Sequence, residues 1–132
     1  MITNGSIILE TYDSKVLRNN PLGDLTERDF PVYLPKSYFK SESKRFPVVY
    51  LISGFTGKGI MNMNVNFLSE NIKERLDRLI ETKKMKEMIV VMPDCITKFG
   101  GSQFINSTGT GRYEDYLIKE LVPFIDSKYR TI

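Results

Sequence analysis

The sequence predicts an α/β fold built on a mostly parallel sheet with flanking helices. Residues 46–52 and 88–92 are almost entirely apolar and rich in β-branched side chains, with no polar alternation. Strands of that kind are covered on both faces, as in the middle of a parallel sheet. Between them lies a stretch with apolar residues at steps of three and four, and such a helix joining two buried strands makes a βαβ unit with a right-handed crossover.

In chain order, residues 6–11 form a short β-rich run, followed by a turn-rich segment at 19–24. Residues 29–34 predict a second strand, stopped by Pro35. The third strand, 46–52, breaks at Ser53-Gly54. The helix is expected over 66–83, with Leu68, Ile72, Leu76, Leu79 and Ile80 on one stripe. Asn66 is its expected N-cap, because an asparagine oxygen accepts from an unpaired first-turn amide. Lys73–Asp77 and Glu74–Arg78 are spaced for ion pairs on its polar side. The fourth strand, 88–92, ends at Pro93-Asp94. A second helix spans about 112–128, with Leu117, Leu121, Phe124 and Ile125 apolar. Glu114 and Asp115 sit in its first turn, where the helix dipole favours carboxylates. Pro123 lacks the amide that would bond the Lys119 carbonyl, so a kink is expected there.

With 132 residues, 41% of them hydrophobic, the chain supports one core, and no repeat, low-complexity tract or linker divides it. A net charge of +3 is spread along the chain, and its densest basic stretch, residues 83–86, reads as a solvated turn. A nucleic-acid partner is not expected. Cys95 is the single cysteine, which excludes an internal disulfide. The first five residues lack the cationic and apolar regions of a signal peptide, and no apolar run approaches the roughly 20 residues that span a bilayer. A cytoplasmic protein without membrane contact is expected.

The chemistry is expected at Ser53-Gly54-Phe55-Thr56-Gly57, after the third strand. Ligands of open α/β sheets sit beyond the carboxyl ends of the strands. Gly54 presents no Cβ there, and the Phe55 amide is placed to bind an oxyanion. An ordinary strand-to-helix turn fits the same spacing.

Several blocks in order resemble the esterase family of α/β hydrolases that includes esterase D-type and enterochelin esterase-like enzymes. They are Asn20-Pro21-Leu22-Gly23-Asp24, Pro31-Val32-Tyr33-Leu34-Pro35, Tyr50 to Gly57, Val90 to Cys95, Gly100-Gly101-Ser102-Gln103, and Gly111 to Tyr116 with Glu120 to Pro123. The resemblance implies the N-terminal portion of an α/β-hydrolase fold, a single incomplete domain over 1–132. It implies hydrolysis of small-molecule carboxylic esters, in some members thioesters, without a metal or organic cofactor. It makes the Phe55 amide an oxyanion donor, with Gly54 permitting its approach. Many relatives begin this loop with His-Gly, where this chain has Ser53-Gly54. The family's nucleophile, acid and histidine are expected beyond residue 132, so the chain alone is expected to be inactive. Self-association through a bare sheet edge is the alternative role.

Nothing present replaces those groups. The chain contains no histidine. Gly100-Gly101-Ser102-Gln103-Phe104 approaches a nucleophile elbow but has Phe104 where the last glycine belongs. A substrate-side loop with Gln103 as hydrogen-bond donor is the better reading. Cys95 is expected to be a small buried residue and Asp94 a loop-capping acid. The Gly54–Gly59 stretch is too short for a phosphate loop, and Thr108-Gly109-Thr110-Gly111 lacks the third glycine of a dinucleotide site. Met61 and Met63, beside Phe67, fit either an acyl pocket or a core gap.

Overall fold

A computed structural model describes residues 4–132; the opening Met1-Ile2-Thr3, read above for targeting signals, lies outside the described residues. Strands β1 (Ser6–Asp13), β2 (Glu27–Leu34), β3 (Val48–Tyr50) and β4 (Ile89–Val91) form one sheet in the order β1-β2-β4-β3. β3 and β4 pair in parallel, with Val49 opposite Val90, as the βαβ pattern requires. The two other pairings are antiparallel, Ser6–Leu34 through Asp13–Glu27 and Val32–Val91 with Tyr33–Val90. The sheet is therefore mixed rather than mostly parallel. The link at 14–26 contains no helix to carry a crossover, and β1 returns antiparallel along β2.

Side-chain alternation divides the core into two layers. Phe30, Val32, Leu34, Ile89 and Val91 face one side, where Tyr113, Tyr116, Leu121 and Ile125 of the C-terminal helix cover them. Tyr33, Val90 and Met92 face the other side, against Leu76 with Ile72 and Ile80. β4 is buried throughout, as its unbroken apolar run predicts. β3 is not. It is shorter than expected, lies at the sheet edge, and leaves Val49 42% exposed. Beside it, Phe46 bridges Thr131 in parallel, donating to the Arg130 carbonyl and accepting from the Ile132 amide.

Helix α1 (Ile72–Glu81) starts six residues later than predicted. Asn71 caps it, accepting from the Glu74 amide at 3.0 Å, while Asn66 accepts from the Leu68 amide in the preceding loop. Leu68 is 88% exposed and belongs to no helical stripe. The apolar periodicity continues past the helix, but a true cap and the loop geometry end it sooner. Lys73 and Asp77 pair at 2.7 Å as expected. Arg78 turns to Glu70 rather than to Glu74. Asp77 also accepts from the Tyr33 hydroxyl and the Gly5 amide, joining α1 to β2 and to the start of the chain.

The second helix is a composite of α2 (Tyr113–Asp115), a π-helical segment (Tyr116–Leu121) and α3 (Val122–Lys128). Just before Pro123, the widened turn lets the Val122 amide reach the Leu117 carbonyl. The Glu120 carboxylate then accepts from the Lys15 and Val16 amides, at 2.9 and 3.0 Å, and from the Ser14 hydroxyl. Strands β5 (Asn106–Ser107) and β6 (Gly111–Arg112) form a separate hairpin before this helix. No helix among the described residues is long and apolar enough to cross a membrane.

The loop after β4 is anchored on one buried cation. Arg28, 3% exposed at the start of β2, donates to the Leu25 and Ile96 carbonyls at 2.8 Å and to the Tyr113 hydroxyl at 2.8 Å. It also faces Asp94 Oδ1 at 3.4 Å, which accepts in turn from the Ile96 amide. Removing one partner of a buried pair strands the other charge. Arg28→Met is expected to lower stability by about 3 kcal/mol in urea unfolding; an unchanged midpoint would show that the cluster carries no net weight.

Candidate active site

β3 gives out at Tyr50, and the Leu51 amide makes one more bond, to the Val91 carbonyl at 2.8 Å. The chain then turns through 53–57, and its amides are used selectively. Gly57 donates to the Gly54 carbonyl at 3.0 Å, and Thr56 donates across to the Gly100 carbonyl at 2.9 Å. Among the described residues, the Phe55 amide donates to no acceptor. It lies neither in a closed core nor in a sheet ladder: Phe55 is 71% exposed. Thr56, one of the two bonded donors, has φ of 64°, the left-handed region that costs a β-branched residue most.

Ser53, Gly54, Phe55 and Gly57 form one wall of a cleft of about 310 Å³. Cys95, Gly101, Ser102, Gln103 and Phe104 form the rest. The three residues singled out from the sequence, Gly54, Phe55 and Gln103, are thus brought together. A Cβ built on Gly54 meets nothing within 4 Å, so the chain's own packing does not demand glycine there. The Ser53 hydroxyl is buried and without a partner among the described residues. Gln103 and Phe104 have φ of 55° and 59°, which turns the loop back on itself at the cleft mouth. Among the described residues, two of the five non-glycine positions with positive φ, Gln103 and Phe104, line this cleft, and a third, Thr56, lies in the chain between the lining residues Phe55 and Gly57.

The weaker candidates are quiet. Ser102 is buried, and its hydroxyl accepts from the Phe104 amide at 3.3 Å. Burial pushes the Cys95 thiol up to about 12, with Asp94 adding to the effect against the opposing pull of Arg28. A thiol so held is not a nucleophile near neutrality. Asp94 caps its loop and pairs with Arg28, a structural role. Thr108-Gly109-Thr110-Gly111 is the turn and return strand of the antiparallel β5–β6 hairpin, not the strand-to-helix turn that a dinucleotide site needs. Met61 is half-exposed, Phe67 is 99% exposed, and Met63 packs beside Met92 and Leu76, so none of them lines this cleft. No group of three His, Cys, Asp or Glu among the described residues is placed to hold a metal ion.

Sequence reasoning missed Arg28, and it named Ser53 and Phe104 only as members of their loops, without a place in the cleft. A single arginine at the start of a strand carries no spacing signal, and its burial is decided by residues up to 85 positions away.

Comparison with known proteins places this cleft in context. A family model described as "Putative esterase" matches residues 25–132. An endo-1,4-β-xylanase/feruloyl esterase of Xylanibacter ruminicola is 36% identical over 106 residues, covering 76% of this chain and 14% of that protein. A solved ferulic acid esterase superposes with a TM-score of 0.78 at 28% identity, covering 97% of this chain and 45% of its own. A ferulic acid esterase of Anaeromyces mucronatus, solved in complex with ferulic acid, gives a TM-score of 0.67 at 26% identity, covering 98% of this chain and 45% of that one. The chain thus spans less than half the length of these relatives. With the match extending over most of its residues, the chain belongs to the Putative esterase family, whose solved relatives are ester hydrolases of the α/β-hydrolase type.

Proposed function

We propose that this chain is the oxyanion-binding, N-terminal portion of a serine carboxylesterase, with feruloyl esters as its substrate class. The observation that carries the reading is the unengaged Phe55 amide, beside an open glycine in a cleft beyond a parallel strand. When a nucleophile adds to an ester carbonyl, the oxygen becomes an alkoxide and needs donors already in place. A fixed amide contributes roughly 3–4 kcal/mol to that transition state. Phe55 and Phe104 give the cleft aromatic walls suited to an aryl acyl group. The names of the relatives at 36%, 28% and 26% identity support that substrate class.

The proton must go elsewhere. Ester hydrolysis by a serine needs a base, and none of the 132 residues is a histidine. Ser102 faces no base, and Cys95 stays protonated. On this reading the nucleophile and its base come from polypeptide outside these residues, and the cleft supplies one donor and part of the acyl pocket.

A second reading, a non-catalytic module that pairs through its sheet edge, is favoured by β3. Its outer side has no strand partner among the described residues, and Val49 and Ile52 beside it are 42% and 50% exposed. Open strands of this kind recruit further strands. Size-exclusion chromatography over a range of concentrations is expected to show a dimer or larger species, whereas a sharp monomer at every concentration would remove this reading.

Two measurements address the first reading. The purified 132-residue chain is expected to leave 4-nitrophenyl acetate unhydrolysed and to take no label from a fluorophosphonate; a labelled serine would mean that the nucleophile is here and has been misassigned. Gly54→Ala is expected to weaken binding of ferulic acid, followed by its own fluorescence, about tenfold. Stability should change by less than about 0.5 kcal/mol, because the added methyl meets only open space. Unchanged binding in that variant would take Gly54 out of the site.

A further inference from the structure

Phe55 is held from below by a second loop whose own anchoring is unusually complete. A Cβ built on Gly100 would lie 2.8 Å from Phe55 Cζ and 3.1 Å from Thr56 Cγ2. One built on Gly101 would lie 3.2 Å from Phe55 Cδ2 and 3.9 Å from the Phe55 Cα. The aromatic ring therefore rests on two residues that have no side chains, and its other face is open. Gly100 has φ of 100°, which turns its carbonyl to accept the Thr56 amide.

Five hydrogen bonds tie the shelf down. The Thr97 hydroxyl donates to the Gly101 carbonyl at 2.9 Å and accepts from the Phe99 amide at 3.1 Å. The Gly100 amide donates to the Thr97 carbonyl at 2.9 Å. The Lys98 amide donates to Asp24 at 3.1 Å, and buried Arg28 holds the Ile96 carbonyl at 2.8 Å. Thr97 itself is only 7% exposed. A loop so fixed can set the position of what lies on it.

We propose that Gly100 and Gly101 are positioning residues for the oxyanion donor: they form a side-chain-free shelf on which the Phe55 ring lies, and this aims the residue 55 amide. The claim rests on the reading of that amide as the donor. It assigns a reason for two consecutive glycines that the cleft geometry alone leaves unexplained. A side chain at residue 101 lifts the ring, and one that extends beyond Cβ also crowds the Phe55 Cα, which a Cβ already approaches at 3.9 Å, so the backbone moves with the ring.

The test uses the full chain labelled with 15N-phenylalanine, which has eight such residues, and the fluorescent probe ferulic acid. The Phe55 resonance is assigned by its loss in Phe55→Leu. Gly101→Ala and Gly101→Val are expected to move it progressively while Phe30 and Phe46 in the core stay in place. Gly109→Ala, whose methyl would meet only Ser107 Oγ at 3.5 Å, is the control and should move none of them. Gly101→Val should weaken ferulic acid binding about tenfold with Phe55 present and less than twofold when combined with Phe55→Ala. An equal loss in both backgrounds, or an unmoved Phe55 resonance, overturns the shelf. If the valine variant unfolds, the alanine variant decides by the same two readouts. If the unsubstituted chain binds no ferulic acid while the resonance moves, the shelf stands and the ester reading fails.

Discussion

Three consecutive amides follow Gly54, and two of them are committed: Thr56 to the carbonyl of Gly100 and Gly57 to that of Gly54. The first laces the loop after β3 to the loop after β4, the second closes the loop on itself, and the third donor, on Phe55, is left unpaired at the surface of a cleft. A backbone donor without a partner is uncommon when buried; at an exposed cleft wall such as Phe55, solvent or a ligand satisfies it. The left-handed backbone at Thr56, Gln103 and Phe104 is part of the same arrangement. Such conformations cost free energy and need surroundings that enforce them.

Those surroundings are polar and buried. Arg28 reaches from the first residues of β2 to Leu25, Asp94, Ile96 and Tyr113, joining the turn before its own strand to the loop after β4 and to the C-terminal helix. A guanidinium suits this position because its planar fork serves several acceptors at once. Asp24 extends the clamp to Lys98, and Thr97 extends it to Gly101. The sheet thus supplies rigidity through its apolar layers, while hydrogen bonds at its carboxyl end fix the loops that shape the cleft.

Much of this could be read from residues alone, and the failures are physically instructive. The parallel β3–β4 pair and the helix between them follow from periodicity and apolar runs, because those patterns report burial. The antiparallel β1 and β2 do not, since strand direction depends on connection length and on neighbours that a local pattern does not encode. Leu68 continues the apolar stripe yet lies in a loop, because Asn71 rather than Asn66 caps the helix. Residues 46–52 look fully covered but flank an edge, since their apolar character says nothing about which strands are at hand to cover them. The placement of Gly54 and Phe55 at a cleft was legible because a strand end followed by glycine marks a crevice, and that of Gln103 because it follows a glycine-rich run. Arg28 and the Gly100–Gly101 support were not, because their significance comes from contacts across the chain.

The most direct measurement is the hydrogen-exchange rate of the Phe55 amide compared with its two neighbours. An unbonded donor at the cleft surface should exchange within about tenfold of the rate of an unstructured peptide, while Thr56 and Gly57, both bonded, should be slower by a factor of about 100 or more. Protection of Phe55 equal to that of Thr56 would mean that its N–H is already engaged, and no preorganised donor would then exist in this chain.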